Sequence, residues 1–264
     1  MKTAIAIGAH PDDIELMMAG TLLLLKKAGY NIHYLNISSG NCGSVEYDAA
    51  TTRRTRLLEA KEAARILGAH FHAPICNDLE IMYELKTLRR LAAIIREVKP
   101  GIVLTHSPSD YMEDHTNTCR LAVTATFARG MPNFKSVPEQ PVATYDCTIY
   151  HCLPHGLRDN LRRRIRAGAY VNTSAVHQTK MEALKAHQSQ QHWLDVSQQM
   201  NSYLQTMQDT SLEIGRISGR FIHAEGWRRH LHYGFCAPGN DPLQDLGGDY
   251  LIDQAYEKSL EDGF

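Results

Sequence analysis

Thr3-Ala-Ile-Ala-Ile-Gly-Ala-His-Pro-Asp-Asp-Ile-Glu15 decides the fold. Thr3 to Ile7 is a short apolar run rich in β-branched residues, closed by Gly8-Ala9, and predicts a buried strand. Just beyond it, Leu16-Met-Met-Ala-Gly-Thr-Leu-Leu-Leu-Leu25 has an apolar helical pattern. His10, Asp12, Asp13 and Glu15 thus sit where a first strand hands over to a first helix. In open parallel α/β sheets, ligands bind there, outside the carboxyl ends of the strands. Pro11 fixes its own φ and biases His10 toward extended backbone. That bend can turn His10 and Asp13 toward one point while Asp12 faces a neighbouring one.

The chain continues the alternation. A helix is expected over Ile14–Lys27, stopped near Gly29, then a strand over Asn31–Ser38 and a Gly-containing loop, Ser39–Ser44. A helix over Thr52–Leu67 ends at Gly68, and a short strand near Phe71 leads to the polar loop Asn77–Glu80. A helix over Leu85–Val98 is stopped by Pro100-Gly101, and the strand Ile102–His106 opens onto a second polar cluster, Ser107–His115. A helix over Asn117–Arg129 follows. Strands are expected at Thr144–His151 and Gly168–Asn172, a helix over Val176–His187 capped by Ser174, and helix from Trp193 to Ile214. Gly219–Ala224 is expected to return to the sheet, and the tail from Cys236 to be irregular. The pattern predicts an α/β class, a mostly parallel sheet with helices on both faces, in a single domain over 1–264.

The totals exclude several classes. In 264 residues, 28 Lys+Arg balance 29 Asp+Glu, so no basic footprint points to nucleic acid. No apolar stretch approaches the about 18 residues of a membrane span, and the first apolar run is too short for a signal segment. Six scattered Cys without C-x-x-C spacing suit a reducing compartment. The expectation is a cytoplasmic protein with no membrane or nucleic-acid partner. The first turn lacks G-x-G-x-x-G and would present two Asp to an anion, which argues against a bound dinucleotide.

His10, Asp13 and His115 supply two imidazoles and a carboxylate. With an open position, that set suits catalytic zinc, and it can also hold ferrous iron. Asp12, beside the set, can serve as general base toward an activated water. The spacing equally suits a polar turn capping a helix, with Glu15 as an ordinary first-turn acid. Glu15 could also accept the second ring N–H of a ligand histidine, and Asp114 could orient His115. Asp110 could orient His115, contact a substrate, or cap backbone. His106 is a strand-end candidate for a proton donor, with the core as the competing place for its ring.

Ala9-His-Pro-Asp-Asp-Ile-Glu15 resembles the A-H-P-D-D-x-E signature of the PIG-L / LmbE-like deacetylases. Later segments resemble further motifs of that family, in order: Arg56 and Glu59, Asp114-His115, Lys180 through His187 to Gln190, and Glu225-Gly-Trp-Arg228. The resemblance implies a Rossmann-like fold and a zinc-dependent N-deacetylase acting on a small amino-sugar substrate of the N-acetylglucosamine type. It implies metal ligation by His10, Asp13 and His115, a base at Asp12, substrate contacts at Arg56 and Asp78, and a homo-oligomer, often a hexamer. One position departs. Where the family's H-x-D-H has its first histidine, this chain has Met112, which cannot donate a proton. His187 is the expected replacement. The alternatives are an amidase of a thiol-sugar conjugate, or a sugar-binding homologue with impaired catalysis.

Overall fold

A computed structural model describes residues 2–191 and 203–262. β1 (Thr3–Gly8) is buried along its whole length, between β2 (Asn31–Asn36) and β4 (Ile102–Thr105), parallel to both. β3 (His70–His72) extends the sheet beyond β2, and β5 (Thr148–Cys152) extends it beyond β4, again in parallel. Three antiparallel strands complete it: β6 (Ala169–Asn172), β7 (Ala224–Arg229) and β8 (Tyr250–Ile252). The order across the sheet is β3-β2-β1-β4-β5-β7-β6-β8.

Ala4 and Ala6 enter one apolar layer, and Ile5 and Ile7 the other. A strand covered on both faces reads as an unbroken apolar run, which is why β1 shows no alternation. The first layer contains Met17 of α1 (Asp13–Met17), Leu22 of α2 (Ala19–Lys27), Ala63 and Leu67 of α3 (Ala49–Leu67) and Ala183 of α6 (His177–Lys185). The second contains Leu91 and Ile95 of α4 (Leu85–Val98) and Leu121 and Ala125 of α5 (Glu113–Phe127). The expected α/β architecture, helices on both faces of a mostly parallel sheet, is thus observed. From β1 the chain moves outward to β2 and β3, then returns to β4 on the other side of β1. The carboxyl ends of β1 and β4 therefore flank a switch point, where a crevice opens.

The first helix is not continuous. Met18 leaves helical geometry at φ −135°, and α2 restarts at Ala19. The cause lies far along the chain. The Glu225 carboxylate on β7 accepts from Gly20 N and Thr21 N, each at 2.8 Å, and from Thr21 Oγ1 at 2.7 Å. An anion at a new helix start satisfies otherwise orphaned N–H groups. Lys180 Nζ, fully buried on α6, balances Glu225 at 2.7 Å. Gly20 is required here, because a Cβ would lie 2.4 Å from Thr173 Cγ2. This clamp gives the Lys180 and Glu225 motifs a structural role.

Other boundaries shift for local reasons. Asp48 caps α3 through Thr51 N at 2.7 Å, so the helix starts at Ala49, three residues before the expected start. α5 begins at Glu113 rather than Asn117, since two acids occupy its first turn, and this puts His115 on the helix. Ser174 lies in a 3-10 turn and does not cap α6. The return to the sheet starts at Ala224, not Gly219. The tail is ordered: β8 pairs with β6, and Asp253 caps α8 (Gln254–Glu261) through Ala255 N and Tyr256 N. A three-residue strand has no periodicity to read. α7 (Tyr203–Ile217) covers part of the expected late helix, and the stretch from Trp193 to residue 202 lies outside the described residues. No described helix is long and apolar enough to cross a membrane.

Candidate metal and catalytic site

The β1 exit turns on Asp13, whose Oδ2 accepts from Ala9 N at 3.1 Å and His10 N at 2.7 Å. This carboxylate, not Asp12, closes the turn. Asp12 occupies the position before α1 at φ 115°, in the positive-φ region disfavoured for L residues, and makes no side-chain cap. The plain helix-capping reading of the motif therefore fails at Asp12.

Across the crevice, the loop after β4 brings in His106, and the first turn of α5 brings in His115. Ligating atoms of His10, Asp13 and His115 lie within 4.8 Å of one another. His115 Nε2 is 3.4 Å from Asp13 Oδ1, and its Nδ1 is 3.0 Å from Asp110 Oδ1. His10 Nδ1 is 3.5 Å from Asp13 Oδ2, and its Nε2 is 3.0 Å from Asp114 Oδ2. Each imidazole thus turns one nitrogen toward Asp13 and anchors the other on a carboxylate, the arrangement that orients metal-binding histidines. Burial opposes charge on His10, but Asp114 and Asp13 raise it to about 9. Asp13 and Asp110 likewise raise His115 to about 10 against its burial. Despite its burial, Asp13 is held well below the usual carboxylate range by His115, His106 and His10. The donor set concentrates negative potential on one point and fits a divalent cation.

Asp12 points to a neighbouring place. Its Oδ2 accepts from Tyr203 OH at 2.7 Å, and Arg56 Nη2 lies 4.0 Å away. Burial pushes its carboxyl up to about 6, assisted by Asp13 and opposed by Arg56, His187 and Tyr203. Asp12, His10, Asp13 and His115 line one cleft of about 500 Å³, together with His106, Tyr111, Met112, His155 and Tyr203.

Several expected roles are corrected. Arg56 lines the cleft, but its guanidinium is engaged by the Pro11 carbonyl and Gln190 Oε1, so it braces the Asp12 turn and is not free for a sugar. Gly40 at φ 75° lets that side chain pass, since a Cβ would meet Arg56 Cδ at 2.6 Å. Asp78 lines the cleft, but it accepts from Ser38 Oγ and Gly40 N on Oδ1 and from Cys42 N on Oδ2, so its first task is to hold the loop. Asp110 anchors His115 and does not line the cleft. Asp114 supports His10, not His115, and also accepts from Leu79 N at 2.8 Å. Glu15 reaches no ligand histidine; its neighbours are Tyr34 OH at 3.3 Å and His187 Nε2 at 3.5 Å. His187 is fully buried beside Glu15 and does not line the cleft, so it is not placed to protonate a leaving group.

The sequence reading also left His106 open and missed further groups. His106 faces the site rather than the core: its ring stacks on His115 at 4.1 Å, and its Nε2 lies 2.9 Å from Ala9 N and 3.2 Å from Asp13 Oδ2. Its position just past the end of β4, level with the β1 exit, was an available signal. His155, in a turn after β5, and Tyr203, on α7, have no local pattern that marks them.

An α/β protein with a donor set that could hold a metal ion and a separate buried carboxylate at the β1–β4 crevice is thereby defined. Residues 5–126 match the sequence model of PIG-L, described as GlcNAc-PI de-N-acetylase. This match spans just under half of the chain. It is 29% identical over 235 residues to diacetylchitobiose deacetylase of Thermococcus kodakarensis, covering 86% of this chain and 83% of the relative. It is 28% identical over 238 residues to 4-oxalmesaconate hydratase of Pseudomonas putida, covering 85% and 88%. Among solved structures, N,N'-diacetylchitobiose deacetylase of Pyrococcus horikoshii shares the fold at TM-score 0.73 and 21% identity, over 92% of this chain and 88% of that one. The 4-carboxy-2-hydroxymuconate hydratase of Pseudomonas putida gives 0.72 and 26%, over 87% and 96%.

Proposed function

We propose that the chain is a metal-dependent hydrolase that removes acetyl from an N-acetylglucosamine-type saccharide or conjugate, yielding acetate and a free amine. One observation carries this reading: Asp12 is a buried carboxylate on the cleft wall, beside the His10–Asp13–His115 set but outside it. His10, Asp13 and His115 would hold the ion, and two imidazoles with a carboxylate suit zinc or ferrous iron. A bound ion supplies Lewis-acid polarisation of the acyl oxygen and lowers the pKa of water.

The remaining chemistry belongs to the chain. Asp12 takes the proton of the attacking water, and a carboxyl near 6 is well matched to that task. Tyr203 holds Oδ2, and Oδ1 would take the proton. The hydroxyl stays on the acetyl carbon, the carbon–nitrogen bond breaks, and the Asp12 carboxylic acid returns its proton to the departing nitrogen. Met112 offers no donor to the developing oxyanion. His155, on the cleft wall, takes that role as a neutral N–H donor, since burial lowers its pKa.

A second reading has its own support. The relative named a hydratase matches as much of the chain as the deacetylase does, and water addition to a double bond requires a base but no protonated amine. The test is an acetate-release assay of zinc- and iron-loaded protein. Its substrates are N-acetylglucosamine, diacetylchitobiose, and nucleotide- and inositol-linked N-acetylglucosamine, with 4-oxalmesaconate followed by absorbance in parallel. Acetate release from at least one sugar is expected. Hydration of 4-oxalmesaconate with no acetate from any sugar would replace the hydrolase reading.

A further inference from the structure

Arg228 carries a charge that nothing near it balances. It is partly buried on β7, opposite His151 of β5. Its Nη2 donates to Ser107 Oγ at 2.6 Å, but its Nε is buried without a hydrogen-bond partner. No carboxylate pairs with it among the described residues. Burial lowers its pKa, countered only by the weak acids Tyr256, Cys152 and Cys119. A guanidinium withdrawn from water without a counter-charge is costly, and such groups are ordinarily paired or bind an anion.

Arg228 lines a recess of about 490 Å³ that shares no lining residue with the catalytic cleft. Arg120 and His230 line it too, and no acidic residue does. Arg120 lies 4.4 Å from the centroid of the Tyr83 ring and has no ion pair among the described residues. His230 Nδ1 is engaged with His151 Nε2 at 2.9 Å, so its Nε2 remains for a ligand. The adjacent Arg229 is different: it pairs with Asp241 at 3.8 Å and contributes no free cation.

We propose that this recess binds the phosphate group of a small molecule, held by Arg228, Arg120 and His230. Two guanidiniums and an imidazole surround a concave space, and a tetrahedral oxyanion offers acceptors to all three. The recess backs onto the catalytic loop. Arg228 holds Ser107, and His151 Nδ1 lies 2.8 Å from the His106 carbonyl oxygen, four residues before Asp110, which supports His115.

The test is titration of the metal-loaded protein with inorganic phosphate, followed by calorimetry. Saturable binding is expected in the wild type and in His115→Ala. A weakening of about tenfold or more is expected in Arg228→Gln, on the scale of one charge-assisted hydrogen bond. Arg120→Ala, at an exposed position, should also weaken binding. Wild-type affinity in both arginine variants would overturn the proposal. So would loss of binding in His115→Ala with retention in the arginine variants, which would put the phosphate in the cleft. A wild type that does not bind phosphate but dissociates into smaller assemblies on Arg228→Gln would assign the recess to contact between copies of the chain.

Discussion

Replacing Asp12 by Asn should make the protein more stable and less active. The wild-type carboxyl, moved from 3.8 to about 6 chiefly by burial, is harder to ionise in the folded state than in the unfolded chain. For a raised carboxyl the cost is absent below 3.8 and fully present above about 6, so at neutral pH the folded protein bears it. Two pKa units at about 1.4 kcal/mol each set an upper bound of about 3 kcal/mol. Asn keeps an acceptor for Tyr203 OH and tolerates the positive φ of this position. It removes the repulsion from Asp13 but also the attraction of Arg56, so a gain of about 1–2 kcal/mol is expected. Denaturant unfolding of metal-free protein measures it. The same variant should lose about 10²–10⁴ in turnover while keeping its metal, the usual share of a general base. A variant that is both destabilised and fully active would refute the reasoning on both counts.

Lys180→Met should cost about 3–5 kcal/mol in urea unfolding, because it leaves the buried Glu225 carboxylate without its cation; an unchanged midpoint would remove the clamp from the stability account. Tyr203→Phe deletes the hydrogen bond to Asp12, and turnover should fall by roughly tenfold with metal content unchanged; loss of metal instead would mean that Tyr203 supports the ligand set. His155→Ala should lower kcat by about 10²–10³, with Met112→His partly restoring it, and full activity of the single variant would assign the oxyanion elsewhere. Burial lowers His151 to about 3, so its unfolded form binds more protons between 6.5 and 3 and stability falls as pH drops through that window. From pH 7 to 5 the loss traceable to it is about 2 kcal/mol, which His151→Gln should abolish when unfolding is followed at both pH values.

The β1 strand and its exit were legible because two independent regularities coincide there. A doubly buried strand has to be continuously apolar, and a polar cluster at its carboxyl end has no packing reason to be that dense. His10, Asp13 and His115 followed from that coincidence together with the family signature. His187, Asp78 and Arg56 were assigned to substrate or proton transfer from motif position alone. What decides their role is hydrogen bonding to groups remote in sequence, such as Gly40, Gln190 and Glu15, and spacing does not encode it. The break at Met18 was invisible for the same reason, since its cause is Glu225 on a strand formed 205 residues after Gly20. β8 was missed because three residues carry too little pattern.

The Asp12 turn near the start of the chain is finished by its end. Tyr203 lies 191 positions from Asp12, and Glu225 closes the restart of α2 from a similar distance. During synthesis, residues 5–126, the stretch that matches the family, emerge long before either partner exists. A nascent chain of that length holds every ligand of the donor set but neither the donor that fixes Asp12 nor the carboxylate that starts α2. Contacts this distant in sequence close late and slowly. The base proposed at Asp12 thus lacks its hydrogen bond until residue 203 has been made, and a nascent chain ending at residue 126 carries the proposed ligands without it.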